Sequence, residues 1–207
     1  MPIDATIHQV SSGLTIWQRY DPAVKADLFS TLITTPSGFV LVDPSHLPPA
    51  ALSALLGGHG VAGIVITNAN HARATGDFAE QFGSQIYAHR EAKADLAGRK
   101  TRDVTDGVSI VPGLEAITID GAAPGEIALH CQAEGGTLIL GDALINMDSL
   151  GFSYLPTKYC TNSKMMRKSL HKLLRYRCER ILFAHGMPIV AQASRRLAEL
   201  LEGGQPA

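Results

Sequence analysis

One grammar occurs twice in this chain and constrains its fold more than any other feature. Two strand-like runs flank a tight turn and close on an aspartate. A helix, a strand running into a polar turn, and a second helix follow. In the first half, Leu28–Thr34 and Phe39–Asp43 flank the turn Pro36–Gly38, preceded by a strand-like Leu14–Tyr20. Pro48 and Pro49 then open a short helix, PAALSALL, that Gly57 and Gly58 stop. Val61–Thr67 reads as a buried strand from its unbroken β-branched content, followed by a polar turn, a helix near Ala74–Phe82 and a short strand, Gln85–His89. In the second half, Glu126–Cys131 and Thr137–Asp142 flank an AEGG turn. A long helix (about Ser163–Arg175), the strand Arg180–His185 and a closing helix near Ala193–Glu202 complete the copy. Duplication of this kind predicts two similar sheets packed face to face with helices outside, a four-layer αββα sandwich of the α/β (α+β) class. The alternative is one mixed sheet with coincidental repetition. Asp43, Asn68–Arg73, Asp142 and His185 all fall just past strand ends, where loops of the two halves can meet.

Composition narrows the function classes. The 207 residues carry 18 Lys+Arg against 19 Asp+Glu, a net charge of −1 that removes the global case for nucleic acid or an anionic membrane. A chain of this length buries roughly 70% of its unfolded surface, so one domain spanning 1–207 needs no disulfide to hold it. Cys131, Cys160 and Cys178 are an odd number at long spacing, which fits a reducing compartment. The amino terminus lacks the charge and apolar pattern of a signal peptide, and no apolar run reaches the ~20 residues of a membrane span. The expectation is a cytoplasmic domain acting on a small molecule, with homo-oligomerisation left open.

Five segments in order carry a resemblance: FVLVDPS, VITNANHARATGDF, IDGAAPGEIAL, TLILGDAL and LFAHGMP. Together they resemble the metallo-β-lactamase superfamily from Leu28 to about Leu201, which implies the αββα sandwich and a hydrolytic metal site. The resemblance also implies that Asp43 braces the metal loop, that Asp142 stands for the bridging aspartate and His185 for the final histidine. It departs from the family at the loop normally written T-H-x-H-x-D-H. Here Asn68 and Asn70 replace both histidines of the first metal position, Ala72 the aspartate and Arg73 the last histidine, while Ala122 takes the histidine of the "pGH" element. An Asn amide is a poor donor for zinc, so the dinuclear site is expected to be absent. Arg73, always charged and forked, is expected to pair with Asp142 where the second metal would stand. His71 lies at a spacer position and reaches the cleft only if the loop takes another path.

Two functions follow. One is a metal-free protein that binds a small ligand or partner through Asn68, Asn70, His71, Arg73, Asp142, Lys158 and His185, with no cofactor. The alternative is a hydrolase of an ester, thioester or amide that uses one zinc or other divalent metal on His71, Asp142 and His185. Should the chain be catalytic, His185 and Asp142 are the candidates. By the resemblance, Asp148–Tyr159 is a substrate-side loop, with Phe152, Tyr154, Leu155 and Tyr159 as an apolar wall and Lys158 as an anion anchor; the competing reading is a cover over the second sheet. His46, His59, His89 and His130 read as structural or exposed. The basic residues of Lys158–Arg180 read as a solvated helix face, against a phosphate-rich or acidic partner.

Overall fold

The computed structural model describes residues 5–93, 96 and 98–203. Seven strands form the first sheet in chain order: β1 (Thr6–Ser11), β2 (Leu14–Asp21), β3 (Ala26–Thr35), β4 (Gly38–Val42), β5 (Val61–Val65), β6 (Ile86–Ala88) and β7 (Thr101–Asp103). The second sheet contains β8 (Ser109–Val111), β9 (Leu114–Thr118), β10 (Ile127–Cys131), β11 (Thr137–Leu140) and β14 (Arg180–Phe183), ordered β14-β11-β10-β9-β8. A separate hairpin, β12 (Leu144–Met147) with β13 (Gly151–Tyr154), follows Asp142. The helices are α1 (Pro49–Leu56), α2 (Thr75–Phe82), α3 (Ser163–Leu170) and α4 (Ala193–Glu202). The expected long helix is α3 continued by a 3₁₀ stretch, His171–Arg175. Strands β1, β7, β8, β9, β12 and β13 had no counterpart in the sequence reading. Five of them are short or irregular, and β1 is an exposed edge strand.

Three apolar layers separate the four layers of backbone. Leu52 and Leu56 of α1 and Phe78 of α2 pack with Trp17, Leu32, Leu41 and Ile64 outside the first sheet. Ile33, Val40, Val42 and Val65 meet Leu129, Ile139 and Leu182 between the sheets. Met166, Leu170 and Leu197 cover Leu138, Leu140, Ile181 and Phe183 outside the second sheet. Successive residues of one strand enter different layers, Leu41 outward and Val40 and Val42 inward, because side chains alternate across the pleat. Both faces are dry, so these strands read as unbroken apolar runs rather than alternating ones.

The sheets are stitched together at one end. Ile127 N donates to Thr67 O (2.7 Å), Ala69 N to Pro124 O (3.0 Å) and Phe29 N to Ala184 O (3.0 Å). The β11–β14 ladder runs in parallel register to Leu140↔Phe183, so Asp142 and His185 each emerge two residues past the last paired position. The first sheet presents Asp43 and Thr67 at the same end. Ile139 is only 2% exposed, and Ile139→Ala opens the layer between the sheets. It should lower the unfolding free energy by about 2–5 kcal/mol. Ile7→Ala, on the exposed edge strand, should change it by about 0.5 kcal/mol or less, both read from urea denaturation.

Candidate metal centre

The site is built on a tight reversal after β5. Asn68 caps a 3₁₀ turn, Ala69–His71, by accepting Asn70 N at its side-chain oxygen (2.9 Å). This turn brings His71 back over Thr67, whose Oγ1 lies 2.8 Å from His71 Nδ1. Asp43, at φ +46° and 2% exposed, waits beneath. Its Oδ1 accepts Thr67 N (2.8 Å), and its Oδ2 accepts Thr67 Oγ1 (2.5 Å) and His71 Nδ1 (2.9 Å). The Asp43 loop is held in turn by a buried serine pair. Ser30 Oγ donates to Asp43 O (2.8 Å), Ser45 N donates to Ser30 Oγ (2.9 Å), and Trp17 Nε1 donates to Ser45 O (3.0 Å).

With Nδ1 committed to Asp43, His71 turns Nε2 toward Asp142, 3.2 Å from Oδ1. His185 Nε2 approaches the same Oδ1 at 3.4 Å. The His185 Nδ1 lies 3.1 Å from Asp27 O, and a carbonyl only accepts, so the ring proton sits on Nδ1. Asp142 Oδ2 is occupied by Asn68 Nδ2 (3.1 Å), which also donates to Glu126 Oε2 (2.8 Å). Glu126 Oε1 accepts Ala143 N (3.0 Å).

Electrostatics divides these groups by role. Burial alone would lower His71, but the charges of Asp142 and Asp43 push its pKa up to about 9. Burial, joined by the His71 and Arg73 charges, pulls His185 below the ordinary histidine value despite Asp142. Asp43 and Asp142 are driven up by burial, but His71 and Arg73 together with hydrogen bonds bring both below the ordinary carboxylate value, so both stay ionised. Burial and the Asp142 charge push Glu126 up to about 8, keeping it protonated at neutral pH.

The sequence expectations meet this geometry unevenly. Asn68, His71, Asp142 and His185 come together, and Asn70 sits on the exposed side of the same turn. The expected Arg73–Asp142 pair is replaced by another arrangement. Arg73, at φ +39°, donates from Nη1 to Phe29 O (2.6 Å) and Asp43 O (2.9 Å), clamping β3 to the end of β4. His71 has taken the place beside Asp142 assigned to it, because the capped turn moves a spacer residue inward. Lys158 is exposed and lies over its neighbour Tyr159, 4.7 Å from the ring centroid. Phe152 packs on Phe183, and Tyr154 donates its hydroxyl to Leu200 O (3.0 Å). Phe152, Tyr154 and Leu155 therefore cover the second sheet, while Tyr159 is exposed. His46 pairs with Asp77 at the surface, His59 meets the Phe39 ring, His89 caps a 3₁₀ turn and His130 lies against Tyr176. The three cysteines are free thiols whose pKa burial raises. Sequence reasoning missed Glu126, although an acid opening a strand buried on both faces was a usable signal.

The donor chemistry of His71 Nε2, Asp142 Oδ1 and His185 Nε2 fits a single metal ion. All three atoms lie within 4.8 Å of one another. Zinc–ligand bonds of about 2.0–2.2 Å in a tetrahedral frame place neighbouring ligand atoms close to the 3.2 and 3.4 Å that separate the two imidazole nitrogens from Asp142 Oδ1.

A fold of two stacked sheets with a His/Asp cluster at the stitched end defines the class of protein. The sequence matches the metallo-beta-lactamase superfamily over residues 8–203, and the chain belongs to that superfamily. Among solved structures, it is similar to the DIM-1 metallo-beta-lactamase, with TM-score 0.76, 14% identity, and 98% of this chain and 99% of that chain covered. The metallo-beta-lactamase FIM-1 from Pseudomonas aeruginosa, solved in its mono-zinc form, gives TM-score 0.73 at 14% identity, covering 98% and 96%. A metallo-beta-lactamase family protein from Thermus thermophilus gives 0.67 at 21%, covering 92% and 78%. No curated protein matches the sequence. Among the described residues, no helix is long and apolar enough to cross a membrane.

The charges imply a pH dependence of stability in chelator. His71 is raised from 6.5 to about 9, so its contribution is complete below about pH 6.5 and lost as pH climbs through 9. Glu126 is raised from 4.5 to about 8, and the folded state holds a proton the unfolded chain has released, so stability again falls as pH rises through that interval. Asp43 and Asp142 are lowered, and their contribution fades only below the ordinary carboxylate value of 3.8. His185 is lowered and works the other way, adding stability as pH rises toward its ordinary 6.5 and offsetting Glu126 there. Urea midpoints in EDTA should therefore fall chiefly above about pH 6.5 and keep declining to pH 9. A maximum at pH 8 would contradict these assignments.

Proposed function

We propose that this protein is a hydrolase of a small ester, thioester or amide that works with one divalent metal ion on His71, Asp142 and His185. One observation carries the reading. His71 Nε2, Asp142 Oδ1 and His185 Nε2 converge within 4.8 Å of one another, while His185 Nδ1 is turned away to Asp27 O. Two imidazole nitrogens and a carboxylate oxygen gathered in this way are a donor set for one divalent cation. Three protein ligands also leave a fourth position open, as catalytic zinc sites do.

When bound, such an ion supplies Lewis acidity toward a carbonyl oxygen and lowers the pKa of water. The chain's own residues prepare the place. Asp43 holds the Nδ1 proton of His71 and Asp27 O that of His185, which orients both Nε2 atoms inward. Asn68 engages Asp142 Oδ2, leaving Oδ1 for the ion. The same Asn68 presents an N–H donor at the position of a family metal ligand, and Ala122 offers none, which supports one ion rather than two. That one relative of this fold was solved in a mono-zinc form is consistent with the proposal.

A metal-free ligand-binding protein is the second reading, and one observation favours it. Protonated His71 and Arg73 together balance Asp43 and Asp142, so the cluster is already neutral. Calorimetric titration of metal-stripped protein with Zn²⁺ or Mn²⁺ separates the two. The expected result is one ion per chain with proton release from His71, seen by comparing buffers of different ionisation enthalpy. His71→Ala and His185→Ala should each weaken binding beyond the about 10–100-fold that loss of an outer partner costs. No saturable binding would install the metal-free reading instead.

A further inference from the structure

We infer that Asn146 is a positioning residue that sets the spacing between Asp142 and His185 by clamping the His185 loop to the strand that follows Asp142. The inference rests on the one-metal reading above and adds a residue that neither the sequence motifs nor the metal ligands point to.

The β11–β14 ladder delivers both ligands in register, but it ends at Leu140↔Phe183. Beyond it, Ala184 N donates to Leu140 O (3.0 Å), and each chain then departs into its own loop. A ligand two residues past the end of a ladder keeps its place only if the far side of its loop is also tied. Asn146, four residues after Asp142 on β12, supplies that tie three times over. Its N donates to His185 O (3.3 Å), its O accepts Met187 N (3.0 Å), and its side-chain Nδ2 donates to Met187 O (2.7 Å). The two segments form a parallel bridge at Asn146↔Gly186.

Gly186 makes the approach possible. At φ +99° it adopts a backbone that side chains disfavour, and a Cβ there would sit 2.1 Å from Asn146 O. The other edge of β12 is paired to β13 at Asn146↔Phe152, and Phe152 rests on Phe183 of β14. Asn146 is thus anchored on a strand pair packed on the second sheet, and it transmits that position to the His185 loop. The main-chain bonds orient the loop, while the Nδ2 bond fixes the Met187 peptide two residues beyond the ligand. Asp27 O holds the His185 ring from the opposite sheet. The imidazole is therefore gripped from both sides, and beyond the end of the ladder it is the Asn146 side that relates it to Asp142.

The test uses the full chain in two states. In metal-stripped protein, long-range ¹H–¹⁵N imidazole spectra of wild type should show His185 as a single Nδ1–H tautomer. Asn146→Ala should give a mixed or broadened His185 signal while His71, held by Asp43, keeps its own. In calorimetric titration with Zn²⁺, Asn146→Ala should weaken binding measurably, by less than the about 10–100-fold that loss of a partner bonded to the ligand itself costs, because its main-chain bonds to the loop remain. Asn146→Asp keeps the shape but cannot donate to Met187 O, and it should show the same His185 signature even if the alanine variant folds poorly. Ser153→Ala, on the same hairpin and with its hydroxyl bonded among the described residues to Gly151 O, controls for general loosening and should leave both readouts unchanged. A wild-type His185 spectrum and Zn²⁺ affinity in Asn146→Ala, with only thermal stability lowered, would overturn the inference. If wild type binds no Zn²⁺ yet Asn146→Ala still disturbs His185, the positioning role holds and the one-metal reading is what fails.

Discussion

The buried hydrogen bond between Asp43 and His71 is the contact on which the rest of the site depends. A carboxylate that is 2% exposed is costly unless its oxygens are taken, and here both are, by Thr67 and His71. That requirement fixes the path of the loop after β5, the tautomer of His71 and the direction of its Nε2. Asp43 also anchors the loop to the sheet below, through Ser30 and the clamp of Arg73 on its carbonyl. Removing the carboxylate would leave a charged or misdirected imidazole against Asp142 and would free the loop that carries it.

The two sheets contribute unequal parts to the cluster. The first supplies the scaffold of Asp43, Thr67, His71 and Arg73, which orients and neutralises. The second supplies Asp142 and His185 from adjacent strands in register. Cross-sheet hydrogen bonds at Thr67, Ala69 and Phe29 hold the halves at this end, so the distance between His71 and Asp142 is set by backbone rather than by side-chain reach. Asn68 links the two contributions. It caps the turn with its oxygen and bridges Glu126 and Asp142 with its nitrogen, the kind of fully used amide that a low-dielectric site favours.

Arg73 illustrates how a sound charge argument can select the wrong partner. The sequence contains a carboxylate in need of a counter-charge and a guanidinium nearby. In the folded chain the counter-charge is His71, and the guanidinium instead satisfies two main-chain carbonyls at the junction of β3 and β4. Its charge still contributes, because Arg73 helps keep Asp43 and Asp142 ionised and His185 neutral. Glu126 shows the complementary case, an acid whose role is invisible until Asn68 and Ala143 are seen to enclose it.

The sequence by itself determined the layered sandwich, because strands such as Phe39–Asp43 and Thr137–Asp142 are apolar on both faces and repeat in the same order with helices between them. It also marked the end at which the polar groups gather, since Asp43, the Asn68–Arg73 turn, Asp142 and His185 all follow strand ends. Tertiary structure alone decided that His71 rather than Arg73 meets Asp142, that Phe152 and Tyr154 face the core, and that Glu126 and Asn146 belong to the site. The first of these turns on the capped 3₁₀ turn Ala69–His71, and the others on which donor reaches which acceptor. Periodicity reports which face of a strand is buried, but hydrogen-bond partners in a loop are chosen by atoms brought together from distant parts of the chain.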